Sequence, residues 1–363
     1  MRYHLLILIL VVLPCALSAQ RANRQRAEEY AREAREAYRA TDYHRAIEYF
    51  EKAMINDRRN LDYQLELAKS YFGNREYNQA VRIVKPLSRS RKAKGPEQIE
   101  AIRLHVSCLD LLERQRQAIK TLQYGLKNYP NSGELYFEYG LVLLGNGDAV
   151  GALERFEEGM LTEPGFARNY MMAARILRGL GNYGWAMLYA EQYLNIDRRT
   201  EFASEMSKFL YETYRLASPC GVEGCHFNFY KSKAGEEMAG LGGEFQQELG
   251  QLYSLALPES EKEFSPRLLL LVQLEVLGLK DPGEIAPSTQ AYLKWIDLVR
   301  KKGHLEAYNY WLMQNGAPLE FGKWVEDHQS EFKDFESWYF KRSFLTFNHG
   351  PIVRPQVLNK LGK

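Results

Sequence analysis

Little in this sequence invites a chemical reading. No Gly-x-Ser-x-Gly, His-Glu-x-x-His or phosphate-cradling glycine loop occurs, and no alternating strand pattern is present to display one. A hydrolase or nucleotide enzyme therefore has no support in the residues. Charge of one sign is also lacking: 48 Lys and Arg stand against 46 Asp and Glu, a net +2. The whole chain has no pull toward nucleic acid or an acidic bilayer, and any such preference must be local. No Asn-x-Ser/Thr triplet exists, which favours a bacterial export route over a glycosylating one. Beyond the N-terminus no apolar run is long enough to span a bilayer, because the stretch Leu268 to Val272 is broken by Gln273 and Glu275. What remains, 45% hydrophobic and 26% charged residues, is the balance of a folded chain and not of a disordered one.

The first nineteen residues read as an export signal. Arg2 supplies the positive start, Leu5 to Leu13 the apolar centre, and Pro14 to Gln20 the small residues of a cleavage region. Nine apolar residues fall short of the roughly 20 that a membrane span requires. Pro14 before Cys15 argues against lipid attachment there. The expected product is secreted across the inner membrane, is periplasmic or envelope-associated, and has no transmembrane span in the mature chain.

Self-similarity at a fixed period is the dominant signal. Ala46, Ala80, Ala118, Ala152 and Ala186 recur at intervals of 34, 38, 34 and 34 residues, the odd interval being 34 plus a four-residue insertion. The fourth copy shows the unit best: Tyr136, Tyr139-Gly140, Leu143, Gly147-Asp148, Ala152, Phe156, Gly159 and Pro164. This unit resembles the tetratricopeptide repeat (TPR). The resemblance covers residues 27–198 as about five repeats and implies an all-α, right-handed solenoid of helix-turn-helix units. Ala34, Ala68, Gly140 and Ala174 are then small because helix A crosses helix B at those points.

After Thr200 the phase is lost but helical spacing persists. Phe202, Met206, Phe209-Leu210 and Tyr214 extend the stack, and a divergent helical domain is expected over residues 200–347. Helices are expected near Glu244 to Leu257, Pro266 to Leu279 and Ser288 to Lys302, with Ser265-Pro266 as a cap and first turn. Trp295 to Ala307 reads as a degenerate hairpin whose alanine comes one residue early. The aromatics Phe321, Trp324, Phe332, Phe335, Trp338, Tyr339 and Phe344 read as core packing or solenoid capping. Residues 348–363 form an irregular tail in this reading.

The resemblance implies a concave wall lined by helix A positions: Arg35, Tyr38, Arg39, Lys69, Phe72, Arg103, Asp110, Phe137, Leu141, Leu144, Arg168, Met171, Arg175 and Arg178. The wall is basic with aromatic interruptions, which suits a protein or peptide partner presenting an acidic or C-terminal segment. The chaperone-type carboxylate clamp is missing, since Ala31, Arg35, Glu100 and Leu104 occupy its positions. The implied role is a non-catalytic scaffold or adaptor, with no cofactor and no metal. The competing reading places a ligand or cofactor site in the C-terminal helical region. Cys220 and Cys225 are most simply a disulfide closing a glycine-rich loop. Haem attachment with His226 as axial ligand, or a zinc site short of a fourth ligand, are the alternatives. Cys108, among apolar neighbours, reads as an inert buried thiol. The basic run Arg82, Lys85, Arg89, Arg91, Lys92 and Lys94 reads as a solvated loop.

Overall fold

A computed structural model describes residues 2–90, 94–221, 224–230, 243–258, 263–279, 285–341 and 350–355, with side chains from Gln20 onward. The chain divides into two compact units, Met1–Pro130 and Asn131–Lys363. The first unit contains α1 (Arg2–Arg39), α2 (Tyr43–Asn56), α3 (Leu61–Gly73), α4 (Tyr77–Ser88), α5 (Pro96–Leu111) and α6 (Gln115–Asn128). Successive helices pack on one another from α1 through α6. The second unit opens with α7 (Gly133–Gly145), α8 (Ala149–Thr162), α9 (Arg168–Gly179) and α10 (Tyr183–Ile196), again packed in sequence. The expected all-α fold of stacked helical hairpins is thus the observed one.

One turn geometry closes all five hairpins. The N–H groups of Asp42, Glu76, Arg114, Asp148 and Asn182 donate to the carbonyls of Ala37, Tyr71, Leu109, Leu143 and Leu177. The residues just before these donors, Thr41, Arg75, Glu113, Gly147 and Gly181, all take positive φ. This is the left-handed helix cap in which orphan carbonyls find a donor. Each turn residue lies five positions before a phased alanine, so turn and packing share one register. Ala46, Ala80, Ala118, Ala152 and Ala186 are all completely buried, as are Ala34, Ala68 and Ala174. At Gly140 the crossing is closest: a Cβ there would stand 2.3 Å from the Phe156 ring. Asp42 and Asp148 also cap the following helices, accepting from the Arg45 and Gly151 N–H groups.

The rest of the second unit comprises α11 (Glu201–Ala217), β1 (Cys220–Gly221), β2 (Gly224–Cys225), α12 (Gly243–Leu255), α13 (Pro266–Gly278), α14 (Pro287–Lys301), α15 (Leu305–Leu312), α16 (Pro318–Asp327) and α17 (Gln329–Phe340). Ser265 caps α13 by accepting from the Leu268 N–H, with Pro266 in the first turn. In α11 Met206, Phe209, Leu210 and Tyr214 are buried, whereas Phe202 is exposed. The α14–α15 hairpin repeats the array's turn, with the His304 N–H on the Val299 carbonyl and Gly303 at positive φ. Its buried Ala307 sits one residue early. Of the late aromatics, Trp324, Phe335 and Tyr339 are buried and Phe321, Phe332 and Trp338 half-buried, while Phe344 lies outside the described residues.

These elements share one core that runs from Phe137 to Val353. Its centre is α10, in which every residue from Tyr183 to Asn195 is buried. A helix buried all round has neighbours on all sides, and α9, α11 and α12 all pack on this one. Glu191 is therefore deep inside. Tyr308 donates to its Oε1 at 2.7 Å, and Asn195 and Trp295 donate to the Tyr308 hydroxyl at 2.8 and 3.1 Å. Burial raises the Glu191 carboxyl to about 7, against hydrogen bonds from Tyr308, Trp295 and Tyr292 that pull it down.

Cys220 and Cys225 form a disulfide across the short β1–β2 pair, so neither sulfur is open to haem or zinc. The irregular stretch that follows it sends Phe227 and Phe229 into the core, and the Phe229 carbonyl accepts from the Gly184 N–H at the start of α10. Gly240 and Gly242 lie outside the described residues. In the tail, residues 350–354 adopt no helix or strand, yet Ile352, Val353 and Arg354 are buried.

Candidate partner-binding groove

The helix A residues of the first unit converge on a cavity of about 250 Å³ lined by Arg35, Tyr38, Arg39, Phe50, Glu66 and Lys69. Helical spacing on α1 brings Arg35, Tyr38 and Arg39 together, and the same face of α3 supplies Glu66 and Lys69. Phe50, from α2, is almost fully buried and forms an apolar floor. Tyr38 stands partly exposed, its ring edge-on to Tyr43 at 5.4 Å.

The cations around this cavity differ in how firmly they are held. Arg35 donates through Nε to Glu66 at 3.0 Å and through Nη1 to Glu28 at 2.9 Å. Glu66 foremost, then Glu28, holds the Arg35 guanidinium above its ordinary range. Glu28 also accepts from the Tyr63 hydroxyl at 2.6 Å, and this bond more than Arg35 lowers its carboxyl. Lys69 pairs with Glu100. Arg39 has no acidic partner among the described residues: its Nε donates to the Arg35 carbonyl at 3.2 Å and its side chain is otherwise exposed.

A rule emerges when the second unit is added. Arg175 pairs with Glu205 at 2.5 Å and Arg178 with Glu212 at 3.5 Å, while the Arg178 guanidinium also lies 3.8 Å from the Phe209 ring centre. Apart from Arg35–Glu28, which lies within α1, each of these bridges joins a basic residue on helix A to an acid on the first helix of the next hairpin. Arg103 also has an interaction partner. The basic wall is thus largely a ladder of internal ion pairs, a feature that reading the basic positions alone passes over. Its signal in the sequence is the acid that follows each base after 30 to 34 residues. Such half-exposed pairs are worth about 0–1 kcal/mol each, so a competing carboxylate could displace Glu66 at small cost.

The other expected groove residues fall into two groups. Phe72 is half-buried with its ring tilted against Tyr77, Asp110 is exposed, and Arg168 is exposed with its guanidinium 4.2 Å from the Phe137 ring centre. Phe137 and Met171, by contrast, are only 2% and 4% exposed and belong to the core of the second unit. They correct the expected wall, because side chains so deeply buried in the core are closed to a partner. Leu141 and Leu144 are half-buried against the same core.

No group of three or more His, Cys, Asp or Glu suited to a metal occurs among the described residues. Ser88 and His105 approach to 3.2 Å but make no nucleophile and base: the Ser88 hydroxyl donates to the Lys85 carbonyl, and burial lowers the imidazole to about 4. Cys108 is buried and its thiol is pushed up to about 12 by burial, the inert state expected of it. In the basic run, Arg82 donates to Gln79, and Arg91 and Lys92 lie outside the described residues. No described helix is long and apolar enough to cross a membrane.

The tetratricopeptide repeat family matches residues 31–84 and 112–167, so the chain carries tetratricopeptide repeats. No relative is found among curated proteins. Among solved structures, the chain is similar to MamA (22% identity, 48% of this chain and 93% of that one, TM-score 0.38). It is also similar to a thermophilic TPR protein of Thermus thermophilus (15% identity, 52% and 98%, TM-score 0.40). A third is YrrB, described as a TPR protein with an unusual peptide-binding site (20% identity, 50% and 92%, TM-score 0.35). The repeats themselves define the fold, through their shared turns, their phased buried alanines and their match to the family.

Proposed function

We propose that this protein is a non-catalytic interaction scaffold that takes an acidic peptide or protein segment into the groove of its first unit. The reading also keeps the expected setting: export directed by residues 1–19, then a periplasmic or envelope-associated adaptor built on the repeats of residues 27–198, with residues 200–347 as a helical extension. The observation that carries the proposal is the cavity at Arg35, Tyr38, Arg39 and Lys69, four residues singled out by their place in the repeat alone. Arg39 offers a guanidinium without an acid on it, Tyr38 and Phe50 offer apolar faces, and Arg35 can trade Glu66 for an incoming carboxylate. YrrB is described as having a peptide-binding site, the kind of use proposed for this groove.

A photo-crosslinking amino acid at Tyr38 tests the proposal in intact cells. It should yield a discrete adduct, and Arg39→Glu should reduce that adduct at least tenfold while helix content and Tm stay unchanged. An adduct indifferent to Arg39→Glu, or none at all, refutes the groove as the binding site.

A further inference from the structure

The second unit holds an extended segment in a way that resembles a bound peptide. Gln192 on α10 clamps the main chain of Ile352 on both sides, its Oε1 accepting from the Ile352 N–H at 2.9 Å and its Nε2 donating to the Ile352 carbonyl at 3.0 Å. The Tyr189 hydroxyl accepts from the Arg354 N–H at 3.1 Å and donates to Glu157 Oε1 at 2.6 Å. Beneath this, Arg354 meets Glu157 of α8 in a two-point pair, Nε to Oε1 at 2.6 Å and Nη2 to Oε2 at 2.7 Å. Both partners are buried: Glu157 is 0% exposed and Arg354 1%.

The two kinds of contact do different work. Gln192 and Tyr189 bond to main-chain atoms, which any sequence possesses, so they hold an extended chain without choosing it. Glu157 chooses. An ion pair removed from water seldom stabilises a fold more than apolar residues of the same shape, but any residue other than arginine here leaves a carboxylate buried and unpaired. Lysine delivers one point charge where the fork delivers two aligned bonds. Helix-B residues, and not the helix-A wall, make this slot, so it is separate from the groove proposed above.

We infer that Glu157, Tyr189 and Gln192 form a second peptide-binding site, selective for an extended apolar-apolar-arginine segment, and that residues 350–355 of the same chain occupy it as a ligand in cis. A partner presenting such a segment gains the slot only by displacing the tail, which makes the tail a built-in competitor.

A fluorescein-labelled hexapeptide Gly-Pro-Ile-Val-Arg-Pro, the sequence of residues 350–355, provides the test by anisotropy. The full-length chain should bind it weakly. Full-length Arg354→Glu, whose tail is repelled by Glu157, should bind it one to one and at least 100-fold more tightly. Replacing the peptide arginine by lysine should cost at least tenfold, and adding Glu157→Gln should cost more. Failure of folded Arg354→Glu to bind, or equal binding by the two proteins, overturns the inference. If Arg354→Glu does not fold, a protease site inserted between Lys341 and Gly350 of the wild-type chain decides. After cleavage the tail fragment should remain bound through gel filtration and exchange with excess hexapeptide. A fragment that will not exchange is a fixed part of the core and no ligand, which overturns the inference equally.

Discussion

Helices α2 and α10 occupy the same place in the repeat and live in opposite environments. In α2 only Ala46, Ile47, Phe50 and Ala53 are buried and the other faces are wet. In α10 no face is wet from Tyr183 to Asn195. The repeat code specifies how helix B meets helix A, through Ala46 in one case and Ala186 in the other, and leaves the remaining faces to local composition. Where those faces carry His44, Arg45, Glu48, Glu51 and Lys52, the hairpin ends in solvent. Where they carry Trp185, Tyr189 and Tyr193, the hairpin becomes the hub of a larger domain. One repeat thus serves in the first unit to present a groove and in the second to organise a core.

The sharpest break of this comparison lies at the residue just before the phased alanine, Trp185 in the second unit and Arg45 in the first. Trp185 is fully buried, with its ring 4.7 Å from that of Phe245, so Trp185→Ala removes an aromatic from a packed core. A loss of about 3–5 kcal/mol is expected. Arg45 is exposed over the Tyr49 ring with a long 3.8 Å pair to Glu33, and Arg45→Ala should leave the unfolding midpoint essentially unchanged. Denaturant unfolding of the full chain measures both. Equal losses would mean that the two hairpins are not different in kind.

Glu191, the single charged residue of α10, turns the same contrast into a pH experiment. Its ordinary value is 4.5 and burial raises it to about 7 in the folded chain. Below pH 4.5 folded and unfolded forms both hold the proton and nothing changes. Between pH 4.5 and 7 the unfolded chain has released a proton that the folded chain keeps at this site, so the contribution of Glu191 to stability falls as pH rises, and it levels off above 7. A shift of this size corresponds to a loss of about 3 kcal/mol. Glu191→Gln keeps the acceptor for Tyr308 and removes this contribution, so the variant should gain on the wild type from pH 4.5 to 7 and be the more stable protein at pH 8, while the opposite contribution of His105, lowered to about 4, is common to both chains and cancels. Unfolding midpoints of both chains measured from pH 4 to 8 decide, and a difference between them that does not change with pH would place the titration elsewhere.

How far the sequence foretells this architecture follows from what repeats encode. Ala46 through Ala186 declare their burial because a small residue at a crossing has no substitute, and Ser265-Pro266 declares a helix start because both residues act locally. The groove was half legible. Arg35, Tyr38, Arg39 and Lys69 meet where the repeat places them, but Phe137 and Met171 are buried in the core, since a position copied from repeat to repeat carries no measure of how deeply its surroundings cover it. The acids that neutralise the wall, Glu66, Glu100, Glu205 and Glu212, each belong to the next hairpin. A position-by-position reading of one hairpin does not pair them. Arg354 was illegible for a plainer reason: its partner Glu157 is 197 residues away, and no period links a tail to a helix.

The smallest expected effect is also the most pointed difference between the units. The turn position filled by Gly147 and Gly181 in the second unit is filled by Thr41, Arg75 and Glu113 in the first, all with φ near +60°. A side chain in that region brings its Cβ against the following carbonyl, at a cost of about 1–2 kcal/mol, and a β-branched residue is the least suited to it. Glycine escapes the clash but gives up about 0.5–1 kcal/mol of unfolded-chain entropy. Thr41 donates its hydroxyl to the Ala40 carbonyl at 2.7 Å, an exposed bond that water replaces readily. Thr41→Gly should therefore stabilise the chain by about 0.5–1 kcal/mol, and Gly147→Thr should destabilise it by about the same or somewhat more. Denaturant titration of the two variants side by side is the measurement. Were Thr41→Gly to destabilise, the turns of the first unit would have to draw on side-chain contacts that glycine cannot make, and the two sets of hairpins would be closed by different physics despite their common hydrogen bond.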